Sequence, residues 1–151
     1  MKPTPKGWPR LSTAIYYDDA SGAIDWLCRA FGFDVRLKVE GDGGRIVHSE
    51  LVYGDAVVMV AQSGKREDRP AFPPGASPRS IGGANTQSAM LYVDNAVEHC
   101  AQARAAGATV IDEPSVHDYG AEYWTDRSYG ALDCEGHVWW FTERLRNPAG
   151  E

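Results

Sequence analysis

Hydrophobic and polar positions along the chain change period several times, and each change marks an element. Leu11–Tyr17 is rich in strand formers and stops at Asp18-Asp19, which predicts a strand. Ala20–Phe31 then places Ile24, Leu27, Cys28 and Phe31 at i, i+3, i+4 and i+7, one face of a helix, with Gly32 as its stop. Phe33–Glu40, Arg45–Tyr53 and Ala56–Ala61 read as strands. Gly41-Asp42-Gly43-Gly44 supplies a turn, and Gly54-Asp55 suits a two-residue hairpin. Residues 63–86 are rich in Pro, Gly, Ser and charge and have no apolar period, so a linker or a surface flap is expected there. The pattern then restarts: strand Ser88–Val93, helix Asn95–Ala106 closed by Gly107, and strands Thr109–Asp112, Glu122–Leu132 and His137–Thr142.

This restart is an internal repeat. A shift of 75 places Ala14 on Ala89, Tyr17 on Tyr92, Asp19 on Asp94, Ala30 on Ala105, Gly32 on Gly107 and Val35 on Val110. Two βαβββ modules follow, an α+β fold: a lead-in at 1–10, modules at 11–62 and 87–145, a linker at 63–86 and a tail at 146–151. One such module has too few strands to close a barrel and needs a partner for its sheet. Two together are expected to curl into a half-barrel cup with the helices outside, its concave face being the natural ligand site.

Composition narrows the partners. The 151 residues carry a formal net charge of −6, which argues against nucleic acid or an anionic membrane and for a neutral or cationic ligand. No apolar stretch approaches the ~20 residues of a membrane span, and the N-terminus lacks the apolar core of a secretory signal. Cys28, Cys100 and Cys134 are odd in number and scattered, so a reduced, cytoplasmic setting is expected. There is no nucleophile motif, phosphate-binding glycine loop or paired-cysteine zinc spacing.

Several short motifs, taken in order, resemble the vicinal-oxygen-chelate superfamily, which includes glyoxalases, bleomycin-resistance proteins and extradiol dioxygenases. In the first module these are Tyr16-Tyr17-Asp18-Asp19-Ala20, Ala23-Ile24-Asp25-Trp26-Leu27 and Ala30-Phe31-Gly32-Phe33. In the second they are Tyr92-Val93-Asp94-Asn95-Ala96, Ala106-Gly107-Ala108, Asp118-Tyr119-Gly120 and the terminal Asp133-Cys134-Glu135-Gly136-His137-Val138-Trp139-Trp140, where Cys134 stands in place of the usual proline. The resemblance implies a divalent metal held by His, Glu or Gln from the first and last strand of each module. Those positions fall here on Ser12, Met59, Ser88 (Gln87 if the register slips) and Trp140, the last where a glutamate is usual. None is a histidine or carboxylate, so neither metal nor other cofactor is expected. The resemblance also implies a homodimer, with the modules paired within or exchanged between chains.

Other polar groups remain candidates. His48 and Glu50 share one strand face and read as ligand anchors, as an acid/base pair, or as a hydrogen-bonded pair on a half-exposed strand. They point into the cup if Val47 and Leu51 pack on the helix. His137 reads as structural, His99 as solvent-facing, and His117 as a loop residue near the cup mouth. Alternation sends Trp139 and Phe141 beneath the second helix and Trp140 into the cup, and separates Tyr123 from Trp124. The expected ligand-binding set is Tyr16, His48, Glu50, Met59, Met90, Tyr92, Trp124 and Trp140, which suits a flat aromatic molecule. Two functions follow: a metal-free protein that sequesters a small aromatic or cationic, antibiotic-like molecule, or a glyoxalase-like lyase, isomerase or dioxygenase with a non-standard metal site using His48 and Glu50.

Overall fold

A computed structural model describes residues 2–150, which separate into two compact units, 2–84 and 85–150. The first runs β1 (Thr13–Tyr17), α1 (Ala20–Phe31), β2 (Asp34–Glu40), β3 (Ile46–Tyr53), β4 (Ala56–Gln62). The second runs β5 (Ala89–Tyr92), α2 (Ala96–Ala105), β6 (Thr109–Asp118), β7 (Thr125–Leu132), β8 (Val138–Arg146). Each is a four-stranded mixed sheet, β1-β4-β3-β2 and β5-β8-β7-β6, with the first and last strands of the unit paired in parallel. The fold is therefore α+β and built from two βαβββ units.

In the first unit Asp19 caps α1 by accepting from the Gly22 N–H at 3.0 Å, and Gly32 ends the helix in the left-handed conformation at φ 79°. The buried stripe Ala20, Ala23, Ile24, Leu27, Ala30 and Phe31 faces the sheet, whose buried face carries Ile15, Tyr17, Leu51, Val58 and Val60. The backbone ladder between β3 and β4 ends at Leu51–Val58. At the next step the buried Ser49 hydroxyl takes over, donating to the Val60 carbonyl at 2.7 Å and accepting from its N–H at 2.8 Å. A side chain here satisfies peptide groups that a strand partner would otherwise satisfy.

The segment after β4 is folded against the first unit. The Ser63 N–H donates to the Tyr17 carbonyl at 2.8 Å, and Gly64 pairs with Gly75. The Ser63 hydroxyl (2.5 Å) and the Ser80 hydroxyl both donate to Asp18. These two bonds, Ser63 first, hold the Asp18 carboxyl below its ordinary range.

In the second unit Asn95 caps α2, accepting from the N–H groups of Val97 and Glu98. The buried stripe is Ala96, His99, Cys100 and Ala103. His99 is thus a core residue, not the solvent-facing one expected: its Nδ1 lies 2.6 Å from the Tyr129 hydroxyl and its ring 4.4 Å from that of Phe141. Trp139 and Phe141 are buried with it, as alternation predicts. Beneath them Asp133 accepts from the N–H groups of Glu135 and His137, from His137 Nδ1, and from the Trp139 indole N–H at 3.0 Å. The structural reading of His137 holds for that reason.

The strand ends differ from expectation in one region. β6 continues through Pro114 to Asp118, so His117 lies in a strand opposite Asp126 rather than in a loop. Pro114 is tolerated because β6 is an edge strand and its register slips between Asp112 and Ser115. β7 begins only at Thr125, and Tyr123 and Trp124 belong to a tight turn, with their rings 6.1 Å apart and perpendicular. They do not alternate across a strand.

Trp139→Ala should lower unfolding free energy by about 3–5 kcal/mol through the cavity it leaves. Asp133→Ala should lower it by about 3 kcal/mol, because several buried donors lose their acceptor. His99→Ala should cost about 2 kcal/mol, whereas Val97→Ala on the exposed side of the same helix should change little. Denaturant and thermal melts of the four variants check this ordering.

Candidate functional site

The face of the first sheet opposite α1 is set by strand alternation. Ala14 pairs with Met59 and Tyr16 with Ala61, and all four line a cleft of about 380 Å³. The β3 side contributes Arg45, Ile46, Val47, His48 and Ser49. Arg66 and Asp68 close a further side, paired with each other at 2.9 Å. The cleft opens where the β3–β4 ladder has ended and Ser49 bridges the strands. Tyr16 is held by the loop: a Cβ on Gly75 would stand 2.1 Å from the ring, so the glycine permits the backbone to pass directly over it.

Three of the four expected residues of this unit, Tyr16, His48 and Met59, therefore meet in one cleft. Glu50 does not line it. Its Oε1 lies 2.9 Å from His48 Nε2, and its Oε2 accepts from Arg36 Nε at 2.8 Å. Arg36 in turn donates to the Gly7 carbonyl at 2.6 Å and covers the Trp8 ring at 4.7 Å. The His48 bond first, and the Arg36 guanidinium after it, hold the Glu50 carboxyl below its ordinary range. An ionised carboxylate only accepts, so His48 Nε2 carries the hydrogen and Nδ1 is the nitrogen left for another partner. The condition that Val47 and Leu51 both pack on the helix is met by Leu51 only. Val47 is 64% exposed while Ser49 and Leu51 are buried, because pairing with β2 slips between Val39–His48 and Glu40–Ile46.

In the second unit the corresponding face carries Met90, Tyr92, Gly130 and Trp140, with Met90 paired to Trp140 and Trp140 to Gly130. A Cβ on Gly130 would lie 3.1 Å from Trp140 Cζ3 and 3.3 Å from Ile111, so the glycine makes room for the indole on this face. Next to it Arg144 donates to the Tyr92 hydroxyl at 2.6 Å and to Asp126 at 2.5 Å. The same guanidinium covers the rings of Tyr92 and Trp124 at 5.3 and 5.4 Å. Met90, Tyr92 and Trp140 thus share this face, and Arg144, which carries no motif in the sequence, brings the Trp124 ring beside Tyr92. The isolated Gly130 inside a strand pattern was an available signal of close approach.

The donor set does not fit a divalent ion. Ser12 is spent on the Val57 carbonyl at 2.8 Å, Met59 offers a thioether, and Trp140 an indole. The nearest alternatives, His48 and Glu50, bond each other, and the second carboxylate oxygen faces a guanidinium. Among the described residues no three His, Cys, Asp or Glu side chains converge.

A family model described as the Glyoxalase/Bleomycin resistance protein/Dioxygenase superfamily matches residues 11–141. The chain belongs to this superfamily. An uncharacterized protein of Mycobacterium bovis is 31% identical over 140 residues, spanning 91% of this chain and 85% of that protein. Among solved structures of the superfamily's fold, TioX from Micromonospora sp. ML1 is 30% identical with a TM-score of 0.68, covering 91% of this chain and 99% of that one. Lactoylglutathione lyase from Agrobacterium tumefaciens is 18% identical with a TM-score of 0.59, covering 93% and 96%, and shares the fold.

The His48–Glu50–Arg36 chain generates a pH prediction. A carboxyl whose folded pKa is depressed contributes stability above its unfolded value, and loses it as pH falls through the folded one. Melting temperature should therefore drop on acidification below about pH 4.5, the ordinary glutamate value. In Glu50→Gln the acid part of that profile should be shallower than in the wild type.

Proposed function

We propose that the protein binds a small aromatic molecule without a metal, holding it for sequestration rather than converting it. The observation that carries this reading is Trp140. It stands where the resemblance to the superfamily places a glutamate ligand, and Gly130 gives it room on that face. Tyr16 and Met59 in the first unit, and Met90, Tyr92 and Trp124 in the second, offer the same kind of surface. Stacking and apolar burial on such residues favour flat ligands. An antibiotic-like aromatic molecule held in the cytoplasm suits this chemistry. The enzymatic alternative would draw on His48 as an acid/base group oriented by Glu50, and progress curves with candidate substrates separate the two.

Elemental analysis of the purified protein should find no stoichiometric divalent ion, and about one tightly held ion per chain would overturn the reading. In ligand titrations, Trp140→Ala should weaken binding about thirtyfold, as expected for loss of a buried aromatic contact of ~2 kcal/mol. A Trp140→Ala protein that bound normally would remove the central support. The sheets end in the edge strands β1 and β2, and β5 and β6, which favour association. Light scattering at micromolar concentration should show a homodimer, and a monomer would reject that part.

A further inference from the structure

The formal charge of −6 suggests a neutral or cationic ligand, but the first-unit cleft has the opposite local character. The arginine, histidine and aspartate side chains that line it are Arg45, His48, Arg66 and Asp68. Asp68 is neutralised within the cleft wall, where two bonds from Arg66, at 3.2 and 2.9 Å, engage both its oxygens. Glu50, the other acid nearby, lies outside the lining and is taken up by His48 and Arg36. Arg45 differs from all of these. Its guanidinium makes no hydrogen bond or ion pair among the described residues, while its backbone is fixed on both sides, accepting from the Gly41 N–H at 2.8 Å and donating to Asp42. The adjoining shallow groove that Arg45 also borders contains one acid, Asp19, which is engaged as the cap of α1. The cleft therefore presents one uncommitted cation and an imidazole, beside the apolar wall of Tyr16 and Met59.

We propose that this cleft takes a small aromatic acid, its carboxylate on Arg45 and its ring against Tyr16 and Met59. This deepens the small-molecule reading and rests on it. A guanidinium without a partner gains most from a planar anion, which it meets with two parallel N–H donors. A cation placed there would face Arg45 with no free acid to offset it. The cleft volume of about 380 Å³ is near the small end of ligand sites, which suits one fused ring pair with a short acidic arm.

Three probes that share one ring separate the possibilities: indole-3-acetate, indole-3-acetamide and tryptamine, titrated calorimetrically into the full chain. The acetate should bind about tenfold tighter than the amide, with tryptamine weakest, and the margin should shrink as salt is raised. Arg45→Gln should bring acetate and amide within about twofold of each other, while Arg45→Lys keeps most of the margin. Arg45 is exposed and its side chain makes no hydrogen bond or ion pair among the described residues, so both variants should melt like the wild type. Tryptamine binding as well as the acetate, or an acetate advantage that survives Arg45→Gln, overturns the proposal but leaves aromatic binding intact. If the three bind but Tyr16→Ala and Met59→Ala leave all of them unaffected, or if none of the three binds, this proposal falls, while the small-molecule reading stands or falls separately with the Trp140→Ala titrations.

Discussion

The buried carboxylate of Asp133 ties together the terminal hairpin on which the second unit's strand register depends. It collects two backbone N–H groups of the turn that follows, the His137 ring and the Trp139 indole. Burying a carboxylate is costly unless its oxygens are satisfied, and these four donors satisfy it. Because the turn and Trp139 are tied to one acceptor, β8 cannot slip by a residue without breaking both. A slip would send Trp139 outward and Trp140 into the core. The surface chemistry of the second sheet is thus decided on its other side, by a contact that no ligand touches.

The first unit reaches a comparable outcome by different means. Among its described residues no buried carboxylate plays that part. Instead Ser49 spans the end of the β3–β4 ladder and Asp18 gathers the hydroxyls of Ser63 and Ser80, drawing the long segment back over Tyr16. One unit consequently offers a defined cleft with charged walls and the other an aromatic face with an arginine stacked among its rings. The units share their order of elements, yet their polar groups have diverged into separate roles.

The elements, their order and the repeat were legible from hydrophobic period and turn residues alone, since helix stripes and glycine stops are local signals. What escaped depended on partners distant in sequence. His99 belongs to a helical stripe of Ala96, His99, Cys100 and Ala103, but alanine at two of the four positions makes that stripe faint in the sequence. Pro114 concealed the continuation of β6, which only pairing with β7 reveals. Tyr16, His48 and Met59 line one cleft, whereas Glu50, expected on the same surface, is drawn off by Arg36, fourteen positions away on the neighbouring strand. Arg45, Arg66 and Arg144 carried no motif, and only the geometry shows which of them are already paired.

The parallel pairing of the first and last strand in each unit has a consequence for how the protein acquires its shape. The β3–β4 and β7–β8 hairpins and both helices join near neighbours in sequence, and such contacts form early and cheaply. The β1–β4 and β5–β8 seams must close loops of roughly fifty residues, and loop closure of that length is the slow step in assembling a sheet. Tyr16 and Met59 flank one seam, and Met90 and Trp140 face each other across the other. The faces that carry these residues are therefore complete only once strands far apart in sequence have met. A molecule resting across either seam would hold closed a joint between strands that the chain itself connects only through a long detour.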